Sequence, residues 1–356
     1  MSSQDDQGRH SRKPARREGA ADRIRWWIKY ILYLSVVLAL ADIVVLRHLL
    51  GLGYPRHYEI DDGARYPAPY IAFKGTPNVG TRNELGFRGA ALKDAPPGSF
   101  TIAFFGGSTG YAGSPTIPAK LEEELAGILD INVFVANYSV VSSHHRQHLH
   151  AILEYLSPHK PDLVIFYGGY NETVQSAYYD PRPGYPYDFF YRAETGPLTQ
   201  LLVENSACIG ALERRFGFLT GLRRLREEHV PFSDPWNHEI ENAYFETLAL
   251  AATITRSFES AHCGHTKFLA FYQPYRIPEP FLATHERIRK RVAKLDYAFD
   301  VSSAYSAFGD DIYTDAVHVD QEAKNAMAVT IASIIAQEML IGSLADCGLP
   351  LKHRSE

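Results

Sequence analysis

From residue 100 onward, the sequence alternates short apolar runs with longer amphipathic segments. The apolar runs are continuous, and they lie at 101–105 (TIAFF), 132–136 (NVFVA), 162–167 (DLVIFY), 267–272 (KFLAFY) and, more weakly, 297–301. Segments with apolar residues at helical spacing lie between or after them, at about 117–129, 145–157, 241–261 and 321–340. Strands of this kind, separated by helices, form parallel sheets that are covered on both faces. The pattern therefore predicts an α/β fold, a three-layer α/β/α sandwich.

The N-terminal part of the chain has a different composition. Residues 1–23 are rich in Lys and Arg, which predicts a disordered basic tail in the cytoplasm. The segment 24–50 (IRWWIKYILYLSVVLALADIVVLRHLL) is long and apolar enough to cross a bilayer, with Trp26, Trp27 and Tyr30 placed as an interfacial aromatic belt. Because basic residues precede the span and few follow it directly, we predict a single-pass anchor with a cytoplasmic N-terminus. The remaining chain is then extracytoplasmic, or periplasmic in a cell with an outer membrane.

Two other interpretations of this segment stay open. Ala39-Leu40-Ala41 resembles a signal-peptidase site, and cleavage there would release a secreted protein. The apolar run continues through IVVL beyond that point, which favours an uncleaved anchor. A buried core helix is the third interpretation, but it leaves the basic tail and the aromatic flank unexplained.

The rest of the chain is predicted to contain a lead-in and one domain with an insertion. Residues 51–98 are rich in Gly, Pro and Tyr, which predicts a linker and an irregular lead-in to the core. We expect one domain over 99–345, with an insertion over 173–240 that contains a segment dense in Tyr, Phe and Pro. An insertion at the carboxyl end of a central strand lies where open α/β sheets bind ligands, so it is interpreted either as a lid or as structural padding.

Charge and cysteine content narrow the possible functions. The formal net charge of −5 gives no sign of a nucleic-acid-binding surface, and no motif predicts a cofactor. The three cysteines lack CxxC spacing, so at most one disulfide can form, in an oxidising compartment. The segment HHRQHLH, which contains His144, His145, His148 and His150, has two histidines at a spacing that suits metal ligands. No third ligand is evident, and we interpret the segment as a solvated helix face.

Three loops after predicted strands carry polar residues that packing does not explain. The first is Gly106-Gly107-Ser108-Thr109-Gly110, in which glycines permit a sharp turn and leave a hydroxyl exposed. A helix cap or a phosphate-binding loop are alternatives, although GxGxxG spacing and a following Lys-Ser/Thr are missing. The second loop contains Asp315 and His318, a spacing that lets the carboxylate orient an imidazole toward a serine. The third contains Asn171, whose amide can stabilise an oxyanion or simply occupy a turn.

The order of these motifs resembles the SGNH/GDSL hydrolase superfamily. Gly106-Gly107-Ser108 is similar to the serine block, with glycine at 107 where many members have Asp. Gly169-Tyr170-Asn171 is similar to the G-x-N block, and Asp315 to His318 to the terminal D-x-x-H block. Ser142 departs from the pattern, because the superfamily usually has an oxyanion-hole glycine there. The lead-in N-x-x-G-F-R at 83–88 is similar to that of membrane-linked members.

The resemblance implies a flavodoxin-like parallel sheet and a serine esterase that needs no cofactor. Ser108 would be the nucleophile, His318 the base and Asp315 the residue that orients it. Oxyanion or substrate contacts would come from Ser142, Asn171 and Gly169, together with the N–H of Ser108. With export, the resemblance suggests O-acyl groups, O-acetyl above all, on a cell-surface or exported glycan, with lipid esters as the next candidate. Hydrolysis and transfer to a sugar hydroxyl are both compatible with these residues.

Other interpretations remain at this point. The GGSTG sequence formally matches the G-x-S-x-G elbow of α/β-hydrolases, although Asp315 and His318 then share one loop instead of coming from two. A membrane-tethered glycan-binding protein with a degenerate hydrolase domain would account for Ser142 and for the aromatic insertion. The glycosylation sequons at Asn137 and Asn171 fall within the predicted site and are interpreted as chance matches.

Overall fold

A computed structural model describes residues 19–50, 66–68, 70–178, 197–216 and 230–352. The chain forms two compact units. One unit contains Met1–Tyr54 and Leu201–Arg215, and the other contains Pro55–Gln200 and Phe216–Glu356. The larger unit carries the α/β fold that the sequence pattern predicts.

Five parallel strands form the central sheet of the larger unit. The strands of the described chain are β1 (Tyr66–Ala68), β2 (Ala72–Lys74), β3 (Phe100–Gly106), β4 (Val133–Asn137), β5 (Leu163–Gly168), β6 (Glu259–Ser260), β7 (Gly264–His265), β8 (Lys267–Tyr272) and β9 (Ala298–Asp300). The sheet has the order β4-β3-β5-β8-β9, and all four pairings are parallel. Counted along the chain this order is 2-1-3-4-5, so the predicted flavodoxin-like topology is confirmed. The pairs β1–β2 and β6–β7 are short antiparallel hairpins.

Helices cover both faces of this sheet. The α-helices of the described residues, in both units together, are α1 (Ala20–Leu40), α2 (Ser108–Tyr111), α3 (Ile117–Ile128), α4 (His145–Tyr155), α5 (Ser176–Tyr178), α6 (Pro197–Asn205), α7 (Ala207–Phe216), α8 (Asp234–Thr255), α9 (Leu282–Val292) and α10 (Gln321–Ile341). Side chains of α3 and α10 share one buried cluster with the sheet, and side chains of α4, α8 and α9 share another. The three-layer sandwich is confirmed.

Alternation along the strands explains why both faces are buried. In β3, Ile102 and Phe104 point into the α3–α10 cluster, whereas Ala103 and Phe105 point into the opposite one. All four are fully buried. Burying one phenylalanine contributes about 1.5–3 kcal/mol, so a strand that is apolar at every position is stabilised from both sides.

The structure differs from the predicted elements in two helices. Helix α8 begins at Asp234, seven positions before the predicted start at 241, and it ends at Thr255. Helix α9 was not predicted, because its sequence LATHERIRKRV is dominated by charged residues and buries few apolar side chains. The five strands of the central sheet, in contrast, lie within two residues of their predicted ends, whereas the short hairpin strands β1, β2, β6 and β7 were not predicted.

The described part of the insertion is helical. It contains the π-helical turn Asn171–Gln175 and helices α5, α6 and α7. The segment YDPRPGYPYDFFYRAE and the basic stretch after Phe216 lie outside the described residues. The division into a tail, an anchor, a linker and one domain with a lid-like insertion stays a prediction.

The N-terminal apolar segment forms one helical span in the smaller unit. Helix α1 continues as a π-helix over Ala41–Leu49. By length and composition, Ala21–Leu46 can cross a membrane, with a mean hydropathy of 2.1. Cys263 and Cys347 form a disulfide within the larger unit, and Cys208, in the smaller unit, is a free and exposed thiol. The chain therefore has the single disulfide that its cysteine content allows.

Candidate active site

The loops that carry the predicted site residues lie at one edge of the central sheet. Ser108 follows β3, Ser142 follows β4 and Asn171 follows β5. The loop with Asp315 and His318 follows β9 and leads into α10. Because all five strands are parallel, their carboxyl ends meet at this edge. The topology thus accounts for how residues far apart in sequence come together.

Ser108, His318 and Asp315 form one continuous hydrogen-bonded chain. His318 Nε2 lies 2.7 Å from Ser108 Oγ, and His318 Nδ1 lies 2.6 Å from Asp315 Oδ2. The second carboxylate oxygen, Oδ1, accepts hydrogen bonds from the backbone N–H groups of Val317 and His318, both at 2.8 Å. These bonds orient the carboxylate toward the imidazole, and the imidazole toward the serine.

Asp315 is held in its ionised form. Partial burial opposes ionisation, but hydrogen bonds from the N–H groups of His318 and Val317 and from the His318 ring outweigh it, so the pKa of Asp315 lies below its ordinary value. An ionised Asp315 can accept a hydrogen bond from a protonated His318 Nδ1. Nε2 is then unprotonated and can act as a base toward Ser108. The side chains of His318 and Asp315 are 32% and 55% exposed, so solvent reaches the site.

Neighbouring strands brace the serine loop from two sides. Ser108 begins the short helix α2 directly after the buried end of β3. Thr109 Oγ1 donates to Gln273 Oε1 at 2.9 Å, and Gln273 follows β8. Asn137 Nδ2 donates to Gly110 O at 3.2 Å from the end of β4. Gln273 carries no motif, and Asn137 was noted only as part of a chance glycosylation sequon, so the sequence predicted a structural role in the site for neither residue.

Asn171 lies directly against the serine loop. Its Nδ2 donates to the Ser143 carbonyl at 2.7 Å, and an asparagine amide has a second N–H to offer. A Cβ placed on Gly107 would approach the same Nδ2 to 2.5 Å. Glycine at 107 therefore gives the amide the space that an aspartate would occupy. The departure from the superfamily pattern at 107 has a steric explanation in this chain.

Ser142 occupies the glycine position of a tight turn. The N–H of Ser143 donates to the Val140 carbonyl at 3.1 Å, and Ser142 has φ +59°. A positive φ at the third residue of a turn is the conformation that glycine adopts without strain, and a side chain there costs about 1–2 kcal/mol. The sequence departs from the superfamily at the position where the backbone does favour glycine. The backbone N–H is nevertheless present at this position.

Gly169 allows the backbone conformation of the turn that carries Asn171. It has φ +142°, and a Cβ there would lie 2.6 Å from the Tyr272 ring, so this position accepts only glycine. Its N–H donates to Glu172 Oε2 at 2.6 Å, and its carbonyl accepts from the N–H of Thr173 at 3.1 Å. Both backbone groups are thus engaged inside the turn. A direct substrate contact by Gly169 stays a prediction.

The interpretation of HHRQHLH as a solvated helix face is wrong. His144, His145 and His148 are buried, and only His150 is exposed. The reason is that α4 turns this face toward β3, β5 and α8, where His145 packs against Phe166 and Tyr244. Sequence periodicity does not distinguish this arrangement, because histidine is compatible with either environment.

The buried histidines form a polar network with Glu172. His145 Nδ1 lies 3.2 Å from His148 Nδ1 and from Glu172 Oε1, and His148 Nε2 lies 2.8 Å from Ser143 Oγ. Burial holds the pKa of His145 down to about 3 and that of His148 well below its ordinary value, whereas it raises the pKa of Glu172. The network connects α4 to the Ser143 turn.

Glu172 supplies the third possible metal ligand that the sequence did not reveal. Donor atoms of His145, His148 and Glu172 lie within 4.8 Å of one another, a grouping that can hold a metal ion. The Glu172 oxygens, however, already accept hydrogen bonds from the N–H groups of His145 and Gly169. Through these bonds the cluster stabilises the adjoining turns. That the site binds no metal stays our prediction.

The lead-in segment packs against the end of helix α2. Asn83 Oδ1 accepts from the N–H groups of Leu85 and Phe87, which closes the N-x-x-G-F turn. Arg88 then donates to the Tyr111 carbonyl at 2.6 Å, and its guanidinium lies 5.7 Å from the Tyr111 ring centroid. Tyr111 lies three positions after Ser108, so the lead-in contributes to the edge of the site.

Comparisons with known proteins give only distant similarities. No protein-family model matches the sequence, and no curated protein matches it. Solved structures similar to the chain include an acetylxylan esterase from Geobacillus stearothermophilus (16% identity, TM-score 0.37, 67% of this chain and 94% of the other covered). Another, from Desulfitobacterium hafniense, is described as a lipolytic protein of the G-D-S-L family (12%, 0.38, 66% and 99%). A third, from Bacteroides fragilis, is described as an acylhydrolase (12%, 0.39, 70% and 93%).

Proposed function

We propose that the chain is a serine esterase in which Ser108 attacks an acyl carbonyl. The observation that supports this proposal is the unbroken contact from Ser108 Oγ through the His318 ring to Asp315, at 2.7 and 2.6 Å. A serine hydroxyl is a weak nucleophile until a neighbouring base takes its proton, and Nε2 of His318 lies within proton-transfer distance. Asp315 orients the ring and stabilises the imidazolium that forms.

The reaction proceeds in two balanced steps. In the first, Ser108 Oγ bonds to the carbonyl carbon, His318 takes the serine proton, and the tetrahedral intermediate expels the alcohol, which receives that proton. In the second, water loses a proton to His318 and attacks the acyl carbon, the bond between that carbon and Ser108 Oγ breaks, and His318 returns the proton to Oγ as the acid leaves. Water reaches the partly exposed His318, and this exposure favours hydrolysis over transfer.

Three donors in the site are suited to the oxyanion. They are the backbone N–H groups of Ser108 and Ser142 and the side-chain amide of Asn171. Asn171 is held by its bond to the Ser143 carbonyl, so its orientation is set before substrate arrives. Removal of one such donor in other serine hydrolases lowers kcat by about 10²–10³.

The proposed substrate is an O-acyl ester, O-acetyl in particular, of a cell-surface or exported glycan. Half-buried tyrosines lie beside the site, at the end of α2 and on two loops: Tyr111, Tyr170 and Tyr313. The guanidinium of Arg276 lies 5.2 Å from the Tyr313 ring centroid and holds this edge with a bond to the Asp310 carbonyl. A partly exposed catalytic histidine suits a small acyl group on a large, hydrophilic polymer.

The proposed location is the extracytoplasmic side of a membrane. The span Ala21–Leu46 would anchor the chain with its N-terminus in the cytoplasm. The disulfide between Cys263 and Cys347 supports exposure of the larger unit to an oxidising compartment. Both observations agree with a glycan substrate outside the cytoplasm.

The test is ester hydrolysis by the full-length chain in detergent. We expect turnover of p-nitrophenyl acetate, slower turnover of the octanoate, and a loss of about 10³-fold or more in Ser108→Ala and His318→Ala. Ser306→Ala and His238→Ala, which change exposed residues elsewhere, serve as matched controls and retain activity. A fluorophosphonate probe should label the wild-type chain and not Ser108→Ala.

The outcomes separate the alternatives. Activity that survives in Ser108→Ala would overturn the proposed mechanism. A folded chain that neither hydrolyses esters nor reacts with the probe would leave the glycan-binding interpretation, which binding to acetylated oligosaccharides then tests. Release of acetate from an O-acetylated oligosaccharide, without appearance of a newly acetylated sugar, would support hydrolysis instead of transfer.

A further inference from the structure

Residues 201–215, which make up most of helices α6 and α7 of the insertion, belong to the same compact unit as the N-terminal span. Helices α6 and α7 follow each other directly, separated only by Ser206. Their apolar side chains include three exposed leucines in this unit: Leu201 (59% exposed), Leu202 (41%) and Leu212 (58%). Exposed apolar side chains that cluster mark surfaces that bind a partner or a membrane.

These helices meet the span at its C-terminal end. The N–H of Cys208, in the first turn of α7, donates to Asp42 Oδ1 at 2.9 Å. Asp42 and Leu46, one helical turn apart, are partly covered, whereas residues 21–41 are exposed throughout. The contact is therefore confined to the last turns of the apolar segment.

The contact explains an aspartate in an otherwise apolar span. A carboxylate near lipid is costly unless a partner satisfies it. The first N–H groups of a helix lack partners within the helix and carry partial positive charge, so α7 and Asp42 satisfy each other. A rise of about 1.5 Å per residue places Asp42 within about 6 Å of the end of the span at Leu46. Helix α7 thus begins at the level where the span would leave the hydrocarbon core.

We propose that α6 and α7 lie on the bilayer surface beside the span, with Leu201, Leu202 and Leu212 inserted at the boundary between headgroups and acyl chains. The occupant of this apolar surface is lipid, because the helices are joined by the Cys208–Asp42 hydrogen bond to a span that is itself apolar and uncovered. Helices of this kind insert about 5–10 Å into the interface. The proposal rests on the membrane anchor and is independent of the esterase chemistry.

Site-directed nitroxide labelling in vesicles tests this placement. Cys263 and Cys347 are disulfide-bonded, so Cys208→Ser yields a full-length chain without a free thiol. Single cysteines are then introduced as Leu201→Cys and Leu212→Cys. Ser35→Cys, in the middle of the span, and Glu154→Cys, at an exposed position on α4, serve as references. The labelled chains are reconstituted into phosphatidylcholine–phosphatidylglycerol vesicles, and collisions with oxygen and with a water-soluble nickel chelate are compared.

We expect labels at 201 and 212 to collide with nickel several-fold less often than the label at 154, and with oxygen more often. The label at 35 could be protected from the nickel chelate while the labels at 201 and 212 are as accessible as the label at 154. This result would overturn the surface placement alone and leave the anchor in place. Nickel access at 35 would remove the anchor and the surface placement with it. Spin–spin broadening between labels at 212 that disappears on dilution with unlabelled chain would identify a second copy as the occupant, and it would also overturn the proposal.

Discussion

Gly107 and Ser142 are the two positions where the sequence departs from the SGNH/GDSL pattern, and their physical consequences differ. Glycine at 107 removes atoms, and the Asn171 amide occupies the space. Serine at 142 adds atoms at a residue whose φ is +59°. The first departure is compatible with the proposed oxyanion site, whereas the second costs stability without removing the backbone donor.

Gly107→Ala should damage catalysis more than folding. The new methyl group would meet Asn171 Nδ2 and displace one proposed oxyanion donor, so we expect kcat to fall by about 10²–10³. Ester hydrolysis and thermal unfolding of the same preparation measure the two effects. Gly127→Ala is the control, because nothing lies within 4 Å of its added Cβ on α3. There we expect unchanged activity and a gain of about 0.5–1 kcal/mol in stability. Full activity in Gly107→Ala would contradict the role assigned to Asn171.

Ser142→Gly should stabilise the protein. Relief of the left-handed conformation is worth about 1–2 kcal/mol, and the greater freedom of glycine in the unfolded chain removes part of this gain. We expect a net increase of about 1 kcal/mol in urea unfolding, with activity retained because glycine keeps the N–H. Ser142→Ala keeps both the Cβ and the strain, so it should bring no gain. A loss of stability in Ser142→Gly would show that contacts of the serine side chain outweigh the strain.

Helix α4 shows how an element can be predicted correctly while its buried face is not. The helix begins at His145 as expected and ends at Tyr155. Its histidines at 145 and 148 lie in the core and connect it to the turns that carry Ser143 and Glu172. The charge-rich helix α9 was missed for a related reason, since only its tertiary contacts give it a buried side.

The buried histidines should make stability depend on pH. Burial lowers the pKa of His148 in the folded state, so below about pH 6.5 the unfolded chain binds more protons and stability falls as pH falls. Each such histidine adds a slope of up to about 1.4 kcal/mol per pH unit, and Glu172, whose pKa is raised, opposes it. We expect His148→Gln to show a smaller loss of stability than wild type between about pH 6.5 and 4.5, above most carboxylate titrations.

Urea unfolding at several pH values measures this slope. His238→Gln, at an exposed position on α8, is the matched control and should keep the wild-type slope. Equal slopes in wild type and His148→Gln would mean that His148 is not held neutral in the folded protein.

The disulfide links the start of the second half of the sheet to the C-terminal segment. Cys263 precedes β8, and Cys347 lies in the short helix Ala345–Cys347, 84 positions later. Cross-linking a loop of this length lowers the conformational entropy of the unfolded chain, which stabilises the folded protein by about 4 kcal/mol. The bond and the candidate membrane span are the two features that support the proposed extracytoplasmic location.

Replacement of both bridged cysteines by serine should therefore destabilise the protein by about 4 kcal/mol. Chemical denaturation measures this effect, with Cys208→Ser as the control that should leave stability unchanged. A thiol titration of the protein as isolated from cells should find one reactive cysteine without reductant and three with it. Three reactive cysteines without reductant would contradict both the disulfide and the proposed oxidising compartment.

The chain's local patterns were sufficient to predict the strands, their parallel arrangement and the order of the site motifs. Continuous apolar runs and helical spacing reflect backbone geometry within a few residues, which is why they are legible in a sequence. The motifs at Ser108, Asn171 and His318 likewise identified loops at strand ends. The contact between Asn171 and Gly107, the support from Gln273 and the burial of His145 depended on which strands become neighbours. That choice is made by crossover connections and packing among residues far apart in the chain, such as Thr109 and Gln273, 164 positions apart, and no local pattern encodes it.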